Sequence, residues 1–171
     1  MEATALDNQS AKNIVESLLF VANGPVHAER LQRALDVGRD EIEAALQALD
    51  REGAQRGVRL QRKGDEVQLV TPPEAAPYVE RLLGLPLAGK LSTAALEALA
   101  VVAYRQPVTR AQVEAVRGVN SDGVLNTLAS RALITEVGRL EAAGRPILYG
   151  TTFEFLQYFG LKDLRQLPPL R

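Results

Sequence analysis

The sequence predicts a mainly α protein with small β-hairpins, folded as two tandem winged helix-turn-helix domains. Two observations carry that reading. Three helical stretches are followed by a β-alternating stretch in the first half, and the same order returns after a shift of 82 residues. A chain of 171 residues holds two small domains of about 80 residues, a size that can still bury a core.

Residues 1–10 are polar and expected to be disordered. Ile14, Leu18 and Val21, with Val15, Leu19 and Ala22 beside them, recur at helical spacing, so the first helix is expected over 11–22. Asn23-Gly24-Pro25 ends it, because Gly tolerates positive φ and Pro cannot continue the hydrogen-bond ladder. A short helix follows over 28–35, with His27 read as its cap. A third runs over 39–52, with Ile42, Ala45, Leu46 and Leu49 on one face. The period then shortens to two. Val58, Leu60, Val67 and Leu69 alternate with Arg59, Gln61 and Gln68 around Gly64-Asp65, the pattern of a hairpin. Pro72-Pro73 closes it, and a helix over 74–83 stops at Gly84.

Under the shift, Gly24-Pro25-Val26 falls on Gln106-Pro107-Val108, Leu31 on Val113, Val37 on Val119, Asp40 on Asp122, Ile42 on Val124 and Leu46 on Leu128. Helices are expected over 92–104, 110–117 and 121–131, capped at Thr109 and at Asn120 or Ser121, and stopped at Gly118. Strands at 134–137 and 146–149 flank a loop containing Ala143-Gly144-Arg145. The expected organisation is a first domain over 11–84, a linker over 85–90 and a second domain over 91–171.

Composition excludes several functions. There is no cysteine and one histidine, so no disulfide, thiolate metal site, Cys nucleophile or two-His cluster is expected. A formal charge of −1 removes the bulk-electrostatic case for a nucleic-acid binder. No apolar run approaches the ~20 residues of a membrane span, and Met1 to Ser10 lacks a signal peptide's basic and apolar regions. The expected location is the cytoplasm. Neither a Walker-A loop, a Gly-x-Gly-x-x-Gly stretch nor a Gly-x-Ser-x-Gly elbow occurs, so neither catalysis nor a cofactor is expected.

The second half carries a distinctive series of blocks. Tyr104-Arg105-Gln106-Pro107-Val108-Thr109-Arg110 leads to Arg117-Gly118-Val119-Asn120-Ser121-Asp122-Gly123. Gly144-Arg145-Pro146, Leu148-Tyr149-Gly150-Thr151-Thr152, Phe153, Phe155-Leu156, Phe159-Gly160-Leu161 and Leu167-Pro168-Pro169-Leu170 follow in order. Together these resemble the bacterial segregation and condensation protein B family, the accessory subunit of the SMC–kleisin complex. The resemblance is strong over 91–170 and weaker over 11–83. His27 departs from it, since the family usually has a small capping residue there, and so does the end at Arg171 without an extended polar tail. The resemblance implies tandem winged helices, a homodimer formed through the N-terminal domains, and binding of the kleisin ScpA, which bridges to the SMC ATPase. It further implies support of chromosome condensation and segregation during cell division, a nucleoid association through the complex, and no catalysis.

A winged helix more often binds DNA, so a DNA-binding transcriptional regulator is the competing reading. A recognition helix needs basic or amide groups outward. The helix over 39–52 instead offers Asp40, Glu41, Glu43, Asp50 and Glu52 against Arg39 and Arg51. Its counterpart begins Ser121-Asp122 and is neutral, with a carboxylate where phosphate would sit. The total charge hides an imbalance: residues 1–84 hold 10 basic and 14 acidic side chains, whereas residues 85–171 hold 10 and 7. Arg56, Arg59, Arg62 and Lys63 gather at the first hairpin, either as a solvated face or as weak, non-specific phosphate contacts.

In the second half, turn chemistry explains Gly118, an inward Val119 and a capping polar residue, but leaves Arg117 without a structural role. Arg105, Arg110, Arg117 and Arg145, with Asn120, Ser121, Asp122 and Tyr149, are the candidate kleisin-binding residues, since the planar guanidinium fork suits carboxylates and peptide carbonyls. The alternative, an arginine paired with Asp122 or Glu141, stays open. Phe153, Phe155, Tyr158 and Phe159 crowd one short helix, more rings than a small core hides. Leu161, Leu164, Leu167 and Leu170 recur at spacing three and are expected to pack back on their own domain.

Overall fold

The computed structural model describes residues 7–83 and 90–169. The fold is mainly helical with small antiparallel sheets, and the chain divides into two compact units: Met1–Leu85 with Arg165–Arg171, and Pro86–Leu164.

The first unit opens on α1 (Asn8–Val21), which starts earlier than the apolar spacing implies. Asp7 is the reason: its carboxylate accepts the Ser10 backbone N–H at 2.6 Å, supplying the N-cap and holding its own carboxyl below the usual range. Residues 7–10 therefore form a helix start rather than a disordered tail, while residues 1–6 lie outside the described residues. The buried stripe of α1 is Ala11, Val15 and Leu19, with Leu18 and Ala22 packed against it; Ile14 and Val21 face outward. Lys12 is also buried, its ammonium held by both carboxylate oxygens of Glu52 at 2.7 and 2.8 Å.

Two helices pack beneath α1, α2 (Ala28–Leu35) and α3 (Arg39–Gly53), contributing Leu31, Ile42, Ala45, Leu46 and Leu49 to the core. The hairpin of β2 (Arg59–Lys63) and β3 (Glu66–Val70) turns at Gly64, whose φ of +61° favours glycine. A two-residue strand, β1 (Val26–His27), completes the sheet in the order β1–β3–β2, with Val26 opposite Val67 and Leu60 opposite Leu69. Two residues are too few to show alternation, which is why the sequence missed it. A 3-10 turn at Pro73–Ala75 leads to α4 (Ala76–Leu83), on which no residue is buried.

The second unit repeats the plan. Its order is α5 (Thr93–Arg105), β4 (Val108–Thr109), α6 (Arg110–Arg117), α7 (Asp122–Ser130), β5 (Ile134–Arg139), β6 (Ile147–Thr151) and α8 (Phe153–Tyr158). The shift of 82 residues carries Val26–His27 onto Val108–Thr109 and Ala28–Leu35 onto Arg110–Arg117, residue for residue. The sheet order, β4–β6–β5, is the same, with a bulge in β5 between Glu136 and Gly138. Leu99, Val102, Val113, Leu125, Leu128 and Leu156 fill the core, each worth roughly 1.5–3 kcal/mol of burial. Gln106 ties the end of α5 to β6: its Oε1 accepts the Thr151 N–H at 2.7 Å and the Thr151 hydroxyl at 3.0 Å.

One expectation about domain limits lies outside the described residues, and one about the tail changes. The linker over 85–90, with the Gly84 helix stop before it, falls outside the described residues apart from Lys90. The tail does not belong to its own domain: from Arg165 onward it groups with the first unit. The leucine spacing of three marks only a short 3-10 turn at Leu164–Gln166, and Arg165 comes close enough to oppose the charge of Arg62.

Candidate functional site

Two surfaces stand out from the sequence: the outer face of α3 with its neighbouring hairpin, and the α6–α7 corner. On the first, Asp40 and Glu41 are exposed at the start of α3, where a phosphate would otherwise be welcome. Three of the four hairpin cations are already partnered. Arg62 makes a two-pronged pair with Glu43 at 2.9 Å on each arm. That pairing holds the Glu43 carboxyl below its ordinary range and raises Arg62 further. Arg59 is bound to Glu74. Arg56 reaches Glu16 at 2.9 Å and Glu52 at 3.2 Å, and the Lys12 hydrogen bond, with these charges, keeps Glu52 ionised to lower pH. Lys63 makes no ion pair among the described residues. Apart from Lys63, the predicted phosphate-contact face is thus a set of closed ion pairs beside exposed carboxylates.

His27 occupies the N-cap position of α2 but makes no capping hydrogen bond, contrary to the sequence reading. Its Nε2 lies 3.4 Å from Glu66 instead, across the β1–β3 pairing. An imidazole set back on this extended backbone is engaged with the neighbouring strand rather than with the helix end.

At the α6–α7 corner the structure brings five of the eight candidate residues together. Thr109 opens α6 with a capping box, its hydroxyl and the Gln112 side chain bonding reciprocally to each other's backbone N–H. Gly118 closes α6 in the left-handed region at φ +70°. Arg110 then pairs with Asp122 at 2.8 Å and approaches Glu114 at 3.8 Å, which raises its pKa, with Tyr149 close enough to add to the effect. Arg117 donates to the Ser121 hydroxyl at 2.7 Å and to Glu97 at 3.2 Å, with its side chain only 7% exposed. Glu114 accepts the Ser121 N–H at 3.0 Å, and Asn120 accepts the Asp122 N–H at 3.1 Å.

This network corrects the sequence reading at two positions and, at a third, decides between the capping candidates Asn120 and Ser121 in favour of Asn120. Arg117 does have a structural role, since it clamps α5 to the start of α7. Val119 does not pack inward but is 54% exposed. Ser121 sits at the N-cap without capping; its hydroxyl donates to the Val119 carbonyl and accepts from Arg117. The remaining candidates stand apart from the network. Arg105, at the end of α5, is exposed, as is Arg145 in the β5–β6 loop, while Tyr149 is half-buried on β6 opposite Val108. The two guanidinium groups make no hydrogen bond or ion pair among the described residues.

What the sequence reasoning missed is apolar. Leu96, Val116 and Val119 are exposed on the second unit, and Phe20 and Val21 on the first. On α8, Phe153, Phe155 and Leu156 are buried, whereas Tyr158 and Phe159 stand 41% and 43% exposed and stack edge-on at 5.1 Å. The two exposed rings of α8 agree with the expectation that a small core cannot hide them all, whereas the other exposed apolar side chains were not anticipated. Among the described residues no group of His, Cys, Asp and Glu could hold a metal, and no helix is long and apolar enough to cross a membrane.

The class these features define is a small protein of two repeated helix–hairpin units whose charged groups are largely paired among themselves. The family model for Segregation and condensation complex subunit ScpB matches residues 13–170. The chain belongs to this family. It is 56% identical over 160 residues to segregation and condensation protein B of Moorella thermoacetica, covering 91% of this chain and 80% of that protein. It is 51% identical over 164 residues to that of Geobacillus kaustophilus, covering 94% and 76%. A solved structure described as a dimer of ScpB N-terminal domain complexed with ScpA peptide is 32% identical, covers 43% of this chain and 95% of its own, and has a TM-score of 0.41.

Proposed function

We propose that this chain is a non-catalytic, homodimeric adaptor of the bacterial condensin-like SMC complex. It binds the kleisin ScpA and through it the SMC ATPase, supporting chromosome condensation and segregation during cell division. Membership of a family of complex subunits supports this, and the partners are those named for the N-terminal ScpB domain above: a second copy and an ScpA peptide. Each unit is read as a winged helix-turn-helix domain, with α2–α3 and α6–α7 as the helix pairs and each hairpin as the wing. The first, over 11–84, is read as dimerising, and the second, over 91–171, as receiving the kleisin, in addition to the ScpA peptide that the N-terminal ScpB domain described above carries. The protein works in the cytoplasm, at the nucleoid, with DNA touched at most weakly or indirectly.

The observation that carries this reading is the surface that a DNA-binding winged helix would use. Here it presents exposed Asp40 and Glu41, and the guanidinium groups of Arg56, Arg59 and Arg62 are each occupied by a carboxylate. Binding phosphate would require breaking those pairs, so a transcriptional regulator is disfavoured. On the kleisin side, Arg105, Arg145 and Tyr149 offer polar groups to a partner, while Arg110, Arg117, Asn120, Ser121 and Asp122 fix the shape of the corner beside them.

The test is co-purification of the chain with ScpA, with stoichiometry measured by mass, and the same capture with Arg105→Ala, Arg110→Ala and Arg145→Ala. The expected result is a complex containing two copies of this chain, weakened by Arg105→Ala or Arg145→Ala. Undiminished capture by all three variants places the kleisin site elsewhere. DNA retention that falls steeply over a fourfold rise in salt would restore the phosphate-contact reading.

A further inference from the structure

Among the described residues, three other than glycine hold a positive φ: Asp36, Ala132 and Arg145. Arg145, at φ +42° in the β5–β6 loop, is the least suited to it. Its side chain is long, and Pro146 pushes the backbone before it toward the extended region. Glycine meets the same demand elsewhere, at Gly64 in the first hairpin and at Gly144 beside Arg145. The loop imposes the conformation through three backbone hydrogen bonds of 2.9 Å, from Leu140 to Pro146, Ala142 to Leu140 and Arg145 to Ala142. The guanidinium of this strained residue is exposed and, among the described residues, makes no hydrogen bond or ion pair, not even with Glu141. Arg139, the neighbouring cation, is taken by Glu136 at 3.0 Å.

We infer that Arg145 is the anchor of the second unit's kleisin contact, its guanidinium gripping a carboxylate side chain of ScpA in a two-pronged pair. The inference rests on the ScpA-binding reading above and adds which residue carries the contact and what it recognises. Strained backbone of this kind persists at binding sites, where the use of the side chain outweighs what the backbone loses. Nothing in the chain's own fold uses this side chain, so its use lies with a partner. A carboxylate is the matching group, because its two oxygens fit the planar fork and its charge balances the one left open. A DNA phosphate is the poorer match. Binding a duplex takes several cations together, whereas α7, the helix that would enter the groove, opens on Asp122.

The test uses the full chain, with thermal melting and the affinity for ScpA as its two readouts. Arg145→Gly relieves the backbone and removes the guanidinium at once. It is expected to raise Tm by a few degrees and to weaken ScpA binding about tenfold. A purely structural role would move both readouts in the same direction. Ala132→Gly relieves the same strain outside the loop, at φ +55°, and is expected to raise Tm with ScpA binding unchanged. Arg145→Lys keeps the charge without the fork and is expected to bind between wild type and Arg145→Gly. A fourfold rise in salt is expected to narrow the gap between wild type and Arg145→Gly. Undiminished binding by Arg145→Gly, beside a wild type that binds, overturns the inference and leaves the ScpA reading standing. A wild type that does not bind ScpA overturns that reading itself. An Arg145→Gly chain that melts lower overturns the strain argument, and full binding by Arg145→Lys overturns the two-pronged pair. A gap that salt does not move overturns the carboxylate as the group recognised. Loss of DNA retention by Arg145→Gly with ScpA binding intact would overturn the inference by assigning the guanidinium to phosphate.

Discussion

α2 and α6 are the same helix built twice, eight residues long and 82 apart, yet their ends are made differently. α6 starts on Thr109 with a complete capping box and ends on Gly118 in the left-handed region. α2 starts on His27 with no side-chain cap and ends on Asp36, which is held at φ +54° without glycine's freedom. Ion pairs are also distributed differently. In the first unit they join distant elements: Lys12 of α1 to Glu52 of α3, and Arg62 of β2 to Glu43 of α3. In the second they concentrate at one corner, where Arg110, Glu114, Arg117, Ser121 and Asp122 lock α6 to α7. The lesson is that a shared frame can be made rigid in different places, and the better-made corner is the one that faces the proposed kleisin site.

The comparison breaks most severely in the cores. Leu46 and Leu128 are repeat-equivalent and both fully buried. Replacing either by Ala is expected to cost about 2–5 kcal/mol, from lost transfer energy and an unfilled cavity. Because the units have separate cores, amide hydrogen exchange should show Leu46→Ala loosening the first unit and Leu128→Ala the second. Loss of protection throughout the chain from either substitution would show that the two units fold as one.

A smaller effect separates the units by pH. Glu43 is held below its ordinary range first by the hydrogen bond to Arg62. A depressed folded pKa stabilises above the unfolded value near 4.5, and that stabilisation is lost as pH falls through the folded pKa. Glu43→Gln should therefore melt below wild type at neutral pH, and the gap should narrow as pH falls below about 4.5 and through the folded pKa. A gap that persists in acid would mean that the side chain contributes through packing rather than charge.

Much of this was legible in the sequence, and the boundary of legibility has physical causes. The helices, both hairpins and the repeat register follow from periodicity, which reports on many residues at once. The acidic character of α3 also follows from identity alone. The role of Arg117 did not, because its partners Glu97 and Ser121 meet it only after α5 and α7 pack. Val119 was read as inward from turn chemistry, which fixes the backbone of the corner but not the direction its side chains take. β1 and β4 are two residues long, and their existence depends on hairpins much further along the chain. The exposed Phe20 sits inside an apolar run, where spacing identifies a helix but cannot say which of several apolar neighbours faces the core.

The smallest effects come from exchanging the helix ends. Thr109→Ala removes a hydroxyl that accepts the Gln112 N–H, and should destabilise the second unit by about 1 kcal/mol. The opposite change can be made in the first unit. His27 already has the extended backbone of an N-cap, φ −65° and ψ 136°. His27→Thr should therefore supply the missing acceptor and stabilise by roughly 0.5–1 kcal/mol. The lost approach to Glu66 involves a mostly exposed imidazole and subtracts little. Asp36→Gly should add a similar roughly 0.5–1 kcal/mol by relieving the left-handed backbone. For a unit of this size each gain is a rise of a few degrees in Tm, and the two should add because they act at opposite ends of α2. If neither raises Tm, the ends of α2 are not its weak points, and the contrast with α6 is one of chemistry without consequence for stability.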